Sequence, residues 1–171
     1  LRHSSFQVVS VITTTGFTTV DYDVWPPLSR AVLLLLMFVG GSAGSTGGAI
    51  KVVRMNVLAK HSVRELKRAV YPRRVTVIRL NGKAVPEEVS SAVLAFVILY
   101  LSVFLLSMLA LSAMGLDFMS AVGAVAATLG NIGPGFGLVG PTCNYSAVPT
   151  MGKWLLSFCM LVGRLEVYTV L

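Results

Sequence analysis

Residues 118–137 read FMSAVGAVAATLGNIGPGFG. Phe118–Leu129 is a short run of small and apolar residues. The pattern predicts a helix that stops at the glycines and Pro134 of the next stretch, Gly130–Gly137. Such a helix is too short to cross a membrane, which takes about 20 apolar residues. Its flanks decide where it sits. Upstream, Ala92–Leu111 runs for twenty residues without a charge; its polar groups are Tyr100, Ser102 and Ser107. It reads as a spanning helix, ended by Gly115-Leu116-Asp117. Downstream, a polar loop to Thr150 leads to a second span that starts near Lys153 and contains Arg164 and Glu166. The order is span, short helix, glycine-containing loop, span.

The first half carries the same order without its opening span. Phe6–Ile12 ends a short helix, and Thr13–Thr19 is a poor helix and too polar to face lipid. Asp21, Asp23 and Trp25-Pro26-Pro27 punctuate the chain before the apolar run Ala31–Val39, with proline as a helix start and Trp25 as an interfacial anchor. That run is too short to span alone and enters Gly40-Gly41-Ser42-Ala43-Gly44-Ser45-Thr46-Gly47-Gly48. Helical character returns at Ala49, so the expectation is one long helix broken at membrane depth. Val75, Val77 and the turn Asn81-Gly82 predict a small ribbon within Tyr71–Val85, and Pro86-Glu87-Glu88 opens the next helix. Two units are expected, 1–85 and 86–171. With no initiating Met before Leu1 and an apolar run at Leu171, the chain reads as a piece of a longer protein.

Composition agrees with lipid. Hydrophobic residues make up 55% and charged residues 12%, against about 25% charged in soluble domains. The net charge of +7 is concentrated. Lys51, Arg54, Lys60, Arg64, Lys67, Arg68, Arg73, Arg74, Arg79 and Lys83 share one stretch with Glu65 as its acid. Between two spans this reads as a cytoplasmic loop under the positive-inside rule rather than as a nucleic-acid site. Cys143 and Cys159 lack metal-ligand spacing, and Cys159 reads as a small apolar residue. The triplet Asn144-Tyr145-Ser146 carries little weight as a glycan acceptor. His3 and His61 have no paired catalytic group, and no titratable cluster supports an interfacial enzyme.

Non-helical backbone at membrane depth is tolerated where protein buries it or where it lines a water-filled cavity. After a half-length helix, it is the way ion filters are built, with backbone carbonyls replacing the ion's hydration shell. Gly16 and Gly133 free the dihedrals this requires, and Thr13–Thr15 add hard oxygen ligands suited to an alkali cation. On spacing alone, ordinary Gly/Thr surface turns fit equally well. The Gly40–Gly48 block is not a phosphate loop, because the first lysine comes at Lys51 and the block follows an apolar run. It reads as a flexible flap. Arg164 sits in a span, where a charge is functional by default. Glu166, two residues on, lies on a different side of the helix.

Four stretches in this order resemble the Trk/Ktr/HKT superfamily of potassium transporters, and its bacterial Trk branch in particular. They are Thr13-Thr14-Thr15-Gly16-Phe17, Gly40–Lys51, Asn131-Ile132-Gly133-Pro134-Gly135-Phe136-Gly137 and Gly163-Arg164-Leu165-Glu166. The resemblance implies an all-α membrane protein with span–pore-helix–filter-loop–span repeats around a pore. This chain would supply the end of the third repeat and the fourth. It implies potassium conduction, with sodium conduction or sodium–potassium coupling as the alternative. The filter residues would be Thr14, Thr15, Gly16, Asn131, Ile132 and Gly133, and they would hold the potassium. Gly40, Gly41, Gly44, Gly47, Gly48 and Arg164 would form the gate. Ala49 stands where that family frequently has glycine. No covalent cofactor and no nucleic acid are expected; potassium is the substrate. The expected setting is the bacterial inner membrane, multi-pass and lipid-embedded, as a homodimer with a cytosolic nucleotide-binding regulatory subunit.

Overall fold

The computed structural model describes residues 1–42, 44–45, 47–71, 78–80 and 83–165. Val75, Val77, the Asn81-Gly82 turn and Glu166 lie outside the described residues. Six α-helices dominate: α1 (Arg2–Ile12), α2 (Pro27–Met37), α3 (Val52–Val70), α4 (Glu87–Ala113), α5 (Phe118–Leu129) and α6 (Thr150–Leu165). Two 3-10 turns, Gly137–Val139 and Tyr145–Ala147, shape the loop between α5 and α6.

Among the described residues, α4 is the one helix long and apolar enough to cross a membrane. Its 27 residues rise about 40 Å at 1.5 Å each, against a hydrocarbon core of about 30 Å. Val97, Tyr100, Phe104, Ser107 and Leu111 are buried, at alternating spacings of three and four. That is the seam of a helix packed on helices. Ile98, Leu101, Leu105, Leu106 and Leu109 are exposed on its other side, as lipid contact requires. Pro86 caps its start, with Glu87 and Glu88 in the first turn.

α5 is the centre of the packing. Ser120 through Leu129 are all buried. It lies against α4 and α6 and touches α2. The Asp117 carboxylate caps it by accepting the Ser120 N–H at 3.1 Å. Hydrogen bonding to Ser120, side chain and backbone, holds the Asp117 pKa below the usual carboxylate range. Buried Cys159 on α6 donates its thiol to Ser107 of α4 at 3.2 Å. It packs as the small apolar residue expected of it. The start of α6 differs from the expectation at Lys153. The Lys153 N–H bonds Pro149 O at 3.0 Å, so the helix begins at Thr150.

The break between α2 and α3 is built differently from a plain helix interruption. Val39–Gly40 and Ile50–Lys51 pair as a two-residue parallel ladder, β1 and β2, in the register Val39↔Ile50 and Gly40↔Lys51. Ile50 N–H bonds Phe38 O at 3.1 Å, and Val52 N–H bonds Gly41 O at 3.2 Å. The chain thus leaves at Gly41 and returns beside its own exit, and the ends satisfy each other's backbone groups. Helix resumes at Val52 rather than at Ala49, because Ala49 is left-handed at φ +59°.

α3 packs on α4 through mixed contacts. Arg54 lies 4.3 Å over the Phe96 ring. His61 Nδ1 pairs with Ser90 Oγ at 2.8 Å, a structural role for that histidine. Arg64 donates to Glu87 at 3.2 Å. Arg79–Leu80 (β3) and Lys83–Ala84 (β4) pair antiparallel as the expected ribbon.

Candidate functional site

The loops that follow α1 and α5 have the same backbone. Thr14 and Gly16 are left-handed, at φ +55° and +75°; Asn131 and Gly133 repeat this at +54° and +112°. Their hydrogen bonds also match. Thr13 N–H bonds Val9 O, Thr14 bonds Val11, and both Thr15 and Gly16 bond Ser10. Gly130 N–H bonds Ala126 O, Asn131 bonds Thr128, and both Ile132 and Gly133 bond Ala127. Each donor and each acceptor in the second set is 117 residues beyond its counterpart in the first. In both cases the loop N–H groups turn back onto the end of the preceding helix. Among the described residues, no hydrogen bond falls on the carbonyls of Thr14, Thr15, Gly16, Asn131 or Ile132.

The two loops touch. A Cβ built on Gly16 would sit 1.9 Å from Ile132 O and 3.2 Å from the Pro134 ring. The six residues expected to form one site, Thr14–Gly16 and Asn131–Gly133, are therefore neighbours through tertiary contact, although more than a hundred residues separate them in sequence.

Beneath them the glycine-rich loop and α6 close in. A Cβ on Gly47 would lie 2.8 Å from Thr14 Oγ1, and one on Gly48 would lie 2.3 Å from Gly130 O. The loop thus reaches the feet of both the α1 and α5 loops. Gly40 and Gly41 lie at its root, where the ladder forms, and Gly44 has no atom within 4 Å of a built Cβ. On α6, a Cβ on Gly163 would come 1.9 Å from Leu129 O. Asn131 Nδ2 donates to Met160 O at 3.1 Å. Arg164 follows Gly163 and is exposed, turned about 100° further round the helix.

Sequence reading missed three side chains above the α5 loop. Tyr145 donates its hydroxyl to Gly133 O at 2.7 Å. Fully buried Tyr22 donates to Gly135 O at 2.9 Å. Asp23 accepts the Gly137 N–H at 2.7 Å and lies 3.9 Å from Arg30. Tyr22 also packs edge-on against Phe136, with ring centroids 5.3 Å apart. Burial pushes the Tyr145 phenol up to about 12, and the Tyr22 phenol is raised further by burial and by Asp23. Both remain donors at neutral pH. In sequence, Tyr22 and Asp23 are two polar residues in a loop, and nothing local pairs them with Gly135 and Gly137.

The family model described as TrkH, cation transport protein, matches residues 1–171. The chain belongs to this family. It is 47% identical over 171 residues to the Trk system potassium uptake protein TrkH of Escherichia coli, covering all of this chain and 35% of that protein. It is 37% identical to the Trk system potassium uptake protein TrkI of Halomonas elongata, again over all of this chain and 35% of the relative. A crystal structure of the potassium transporter TrkH from Vibrio parahaemolyticus superposes with a TM-score of 0.86 at 46% identity, over 96% of this chain and 35% of that one. The chain therefore spans about a third of the length of the relatives it matches. The family is one of cation transport proteins.

Proposed function

We propose that this chain forms part of a potassium-conducting pore in the bacterial inner membrane. The carrying observation is the pair of loops with one hydrogen-bonding pattern, in contact at Gly16 and Ile132. That pattern supports two pore repeats, one ending in 1–85 and the other occupying 86–171. The carbonyls of Thr14, Thr15, Gly16, Asn131 and Ile132 supply hard oxygens in place of potassium's water shell, and Gly133, whose own oxygen accepts from Tyr145, gives the α5 loop the turn that presents them. Further repeats of the whole protein complete the ring. Potassium uptake is what the relatives' names describe. The basic stretch 51–83 lies on the cytoplasmic side. There a nucleotide-binding regulatory subunit docks, and the transporter works as a homodimer.

The gate is the loop carrying Gly40, Gly41, Gly44, Gly47 and Gly48, with Arg164 beside it. Its position under both filter loops supports this reading. Closed, it obstructs the path just below the narrowest site, and Arg164 repels the passing cation.

The test is the full-length transporter with Gly16→Ser or Gly133→Ser. Both positions have positive φ, so a side chain strains the backbone at either. At Gly16 it also collides with Ile132 O, whereas at Gly133 it enters open space. Both variants are expected to lose discrimination between potassium and sodium, with Gly16→Ser the more damaging to folding. Unchanged ion selectivity in both sinks the filter assignment.

A further inference from the structure

Gly133, Gly135 and Gly137 are alternate residues, and each is held by one polar side chain: Tyr145, Tyr22 and Asp23 respectively. Gly133 depends on this most. Its φ is +112°, and no atom lies within 4 Å of a Cβ built on it. Beside it is a cavity of about 220 Å³ lined by Thr128, Tyr145, Lys153 and Ser157 among others. Glycine flanked by empty space has wide freedom to rotate its peptide. Gly16 differs, because the Ile132 carbonyl wedges directly against it. Both loops share the same backbone hydrogen bonds, and they differ at the glycine itself: Gly16 is hemmed in by Ile132 O, whereas Gly133 has open space and the Tyr145 bond.

We propose that Tyr145 is a positioning residue for ion selection. Its hydroxyl sets the orientation of the Gly133 peptide, while Tyr22 and Asp23 hold the strand beyond it. The phenol does not touch the ion; it acts through the peptide it orients. This rests on the reading of Gly133 as part of the filter. The bond at 2.7 Å draws the Gly133 oxygen toward Tyr145 and so fixes which way the adjoining Ile132 and Gly133 peptides face. Freed of it, the Gly133 peptide samples other orientations, and the site loses the rigid geometry that separates two cations of equal charge.

The experiment uses the full-length transporter in proteoliposomes and reads the potassium-to-sodium permeability ratio. Tyr145→Phe keeps the ring and removes the bond. Loss of one hydrogen bond's net contribution predicts a ratio lower by about two- to tenfold, with potassium flux retained. A second variant replaces Tyr145 with 3,5-difluorotyrosine, which keeps the shape and brings the phenol's ionisation down from about 12 into an alkaline range that vesicles withstand. A phenolate cannot donate, so selectivity is expected to fall as pH rises through that ionisation. The wild type, tested over the same range, controls for Lys153, whose ammonium bonds Ser146 O nearby, and for Tyr22 and Asp23 across the loop. A lowered ratio in Tyr145→Phe and a pH-dependent ratio in the fluorinated protein support the proposal. If Gly133→Ser alters selectivity while both Tyr145 variants match the wild type, the proposal is overturned and the filter reading stands. If Gly133→Ser leaves selectivity unchanged as well, the proposal falls, and the filter reading falls with it when Gly16→Ser is also without effect.

Discussion

Gly163 shows what one missing side chain does. It lets α6 pass against the last carbonyl of α5, with a built Cβ only 1.9 Å from Leu129 O. Backbone on both sides leaves no flexible group to give way. Gly163→Ala is therefore expected to cost about 1–3 kcal/mol, the usual range for overpacking, seen as a lower melting temperature of the purified transporter in detergent. Gly44→Ala has open space and no positive φ, so it should melt as the wild type does. Equal melting of the two variants would show that the contact at Leu129 is not a constraint. Ala49 presents the opposite case. At φ +59° it occupies a region where the side chain clashes, at roughly 1–2 kcal/mol. Glycine would relieve that strain, at a cost of about 0.5–1 kcal/mol in backbone entropy. Losing the buried methyl costs about a further 0.8 kcal/mol, so Ala49→Gly should leave stability within about 1 kcal/mol of the wild type despite removing a side chain, checked by the same melting measurement. Sequence reading noted the departure from glycine here without a consequence; the left-handed dihedral supplies one.

Most of the elements were legible because their signals are local. The end of α5 follows from Gly130 and the glycines after it, and the start of α2 follows from Pro27. The loop between α2 and α3 was legible as a break, but its form was not. Its ends pair as a parallel ladder, which depends on two segments meeting. The ladder anchors the loop at its root, while Gly47 and Gly48 wedge against the loops that follow α1 and α5. Shortening the chain across Gly44–Gly48 in the full-length protein should withdraw that wedge and raise the resting potassium leak. Flux into proteoliposomes measures it; a leak at the wild-type level would mean that this element does not obstruct the path.

For the molecule as a whole, the position of Arg164 matters most. With α6 starting at Thr150 instead of Lys153, Arg164 lies fourteen residues along, about 21 Å at 1.5 Å per residue, not the roughly 16 Å expected from Lys153. A charge facing lipid costs about 2.5–3.5 kcal/mol at the centre of a span, and 21 Å along a span would lie beyond the middle of a core about 30 Å thick. Gly163 directs its own face at Leu129 and Asn131, so its neighbour Arg164 emerges beside that contact. In the proposed gate it acts on both the ion path and the glycine-rich loop. Arg164→Ala in the full-length transporter is expected to conduct faster than wild type and to respond less to the proposed regulatory subunit. Single-channel or flux recording decides this, and equal or lower conduction in a well-folded variant would reduce Arg164 to a structural residue.

The sequence by itself determined the spanning helix α4, the short helices that cannot cross, and the glycine-containing loops after α1 and α5. Hydropathy, charge and glycine spacing act within a few residues, so they can be read along the chain. It also marked Gly16, Gly133 and Thr13–Thr15 through their residue types, and Asn131 and Ile132 through the family resemblance. Only the tertiary structure brought these two sets together at Gly16 and Ile132. It alone placed Gly48 and Gly163 under Gly130 and Leu129. It alone assigned Tyr145, Tyr22 and Asp23 to three alternate glycines. Hydrogen bonds and close approaches depend on positions in space, and partners 113 and 114 residues apart leave no periodicity that a linear reading can detect.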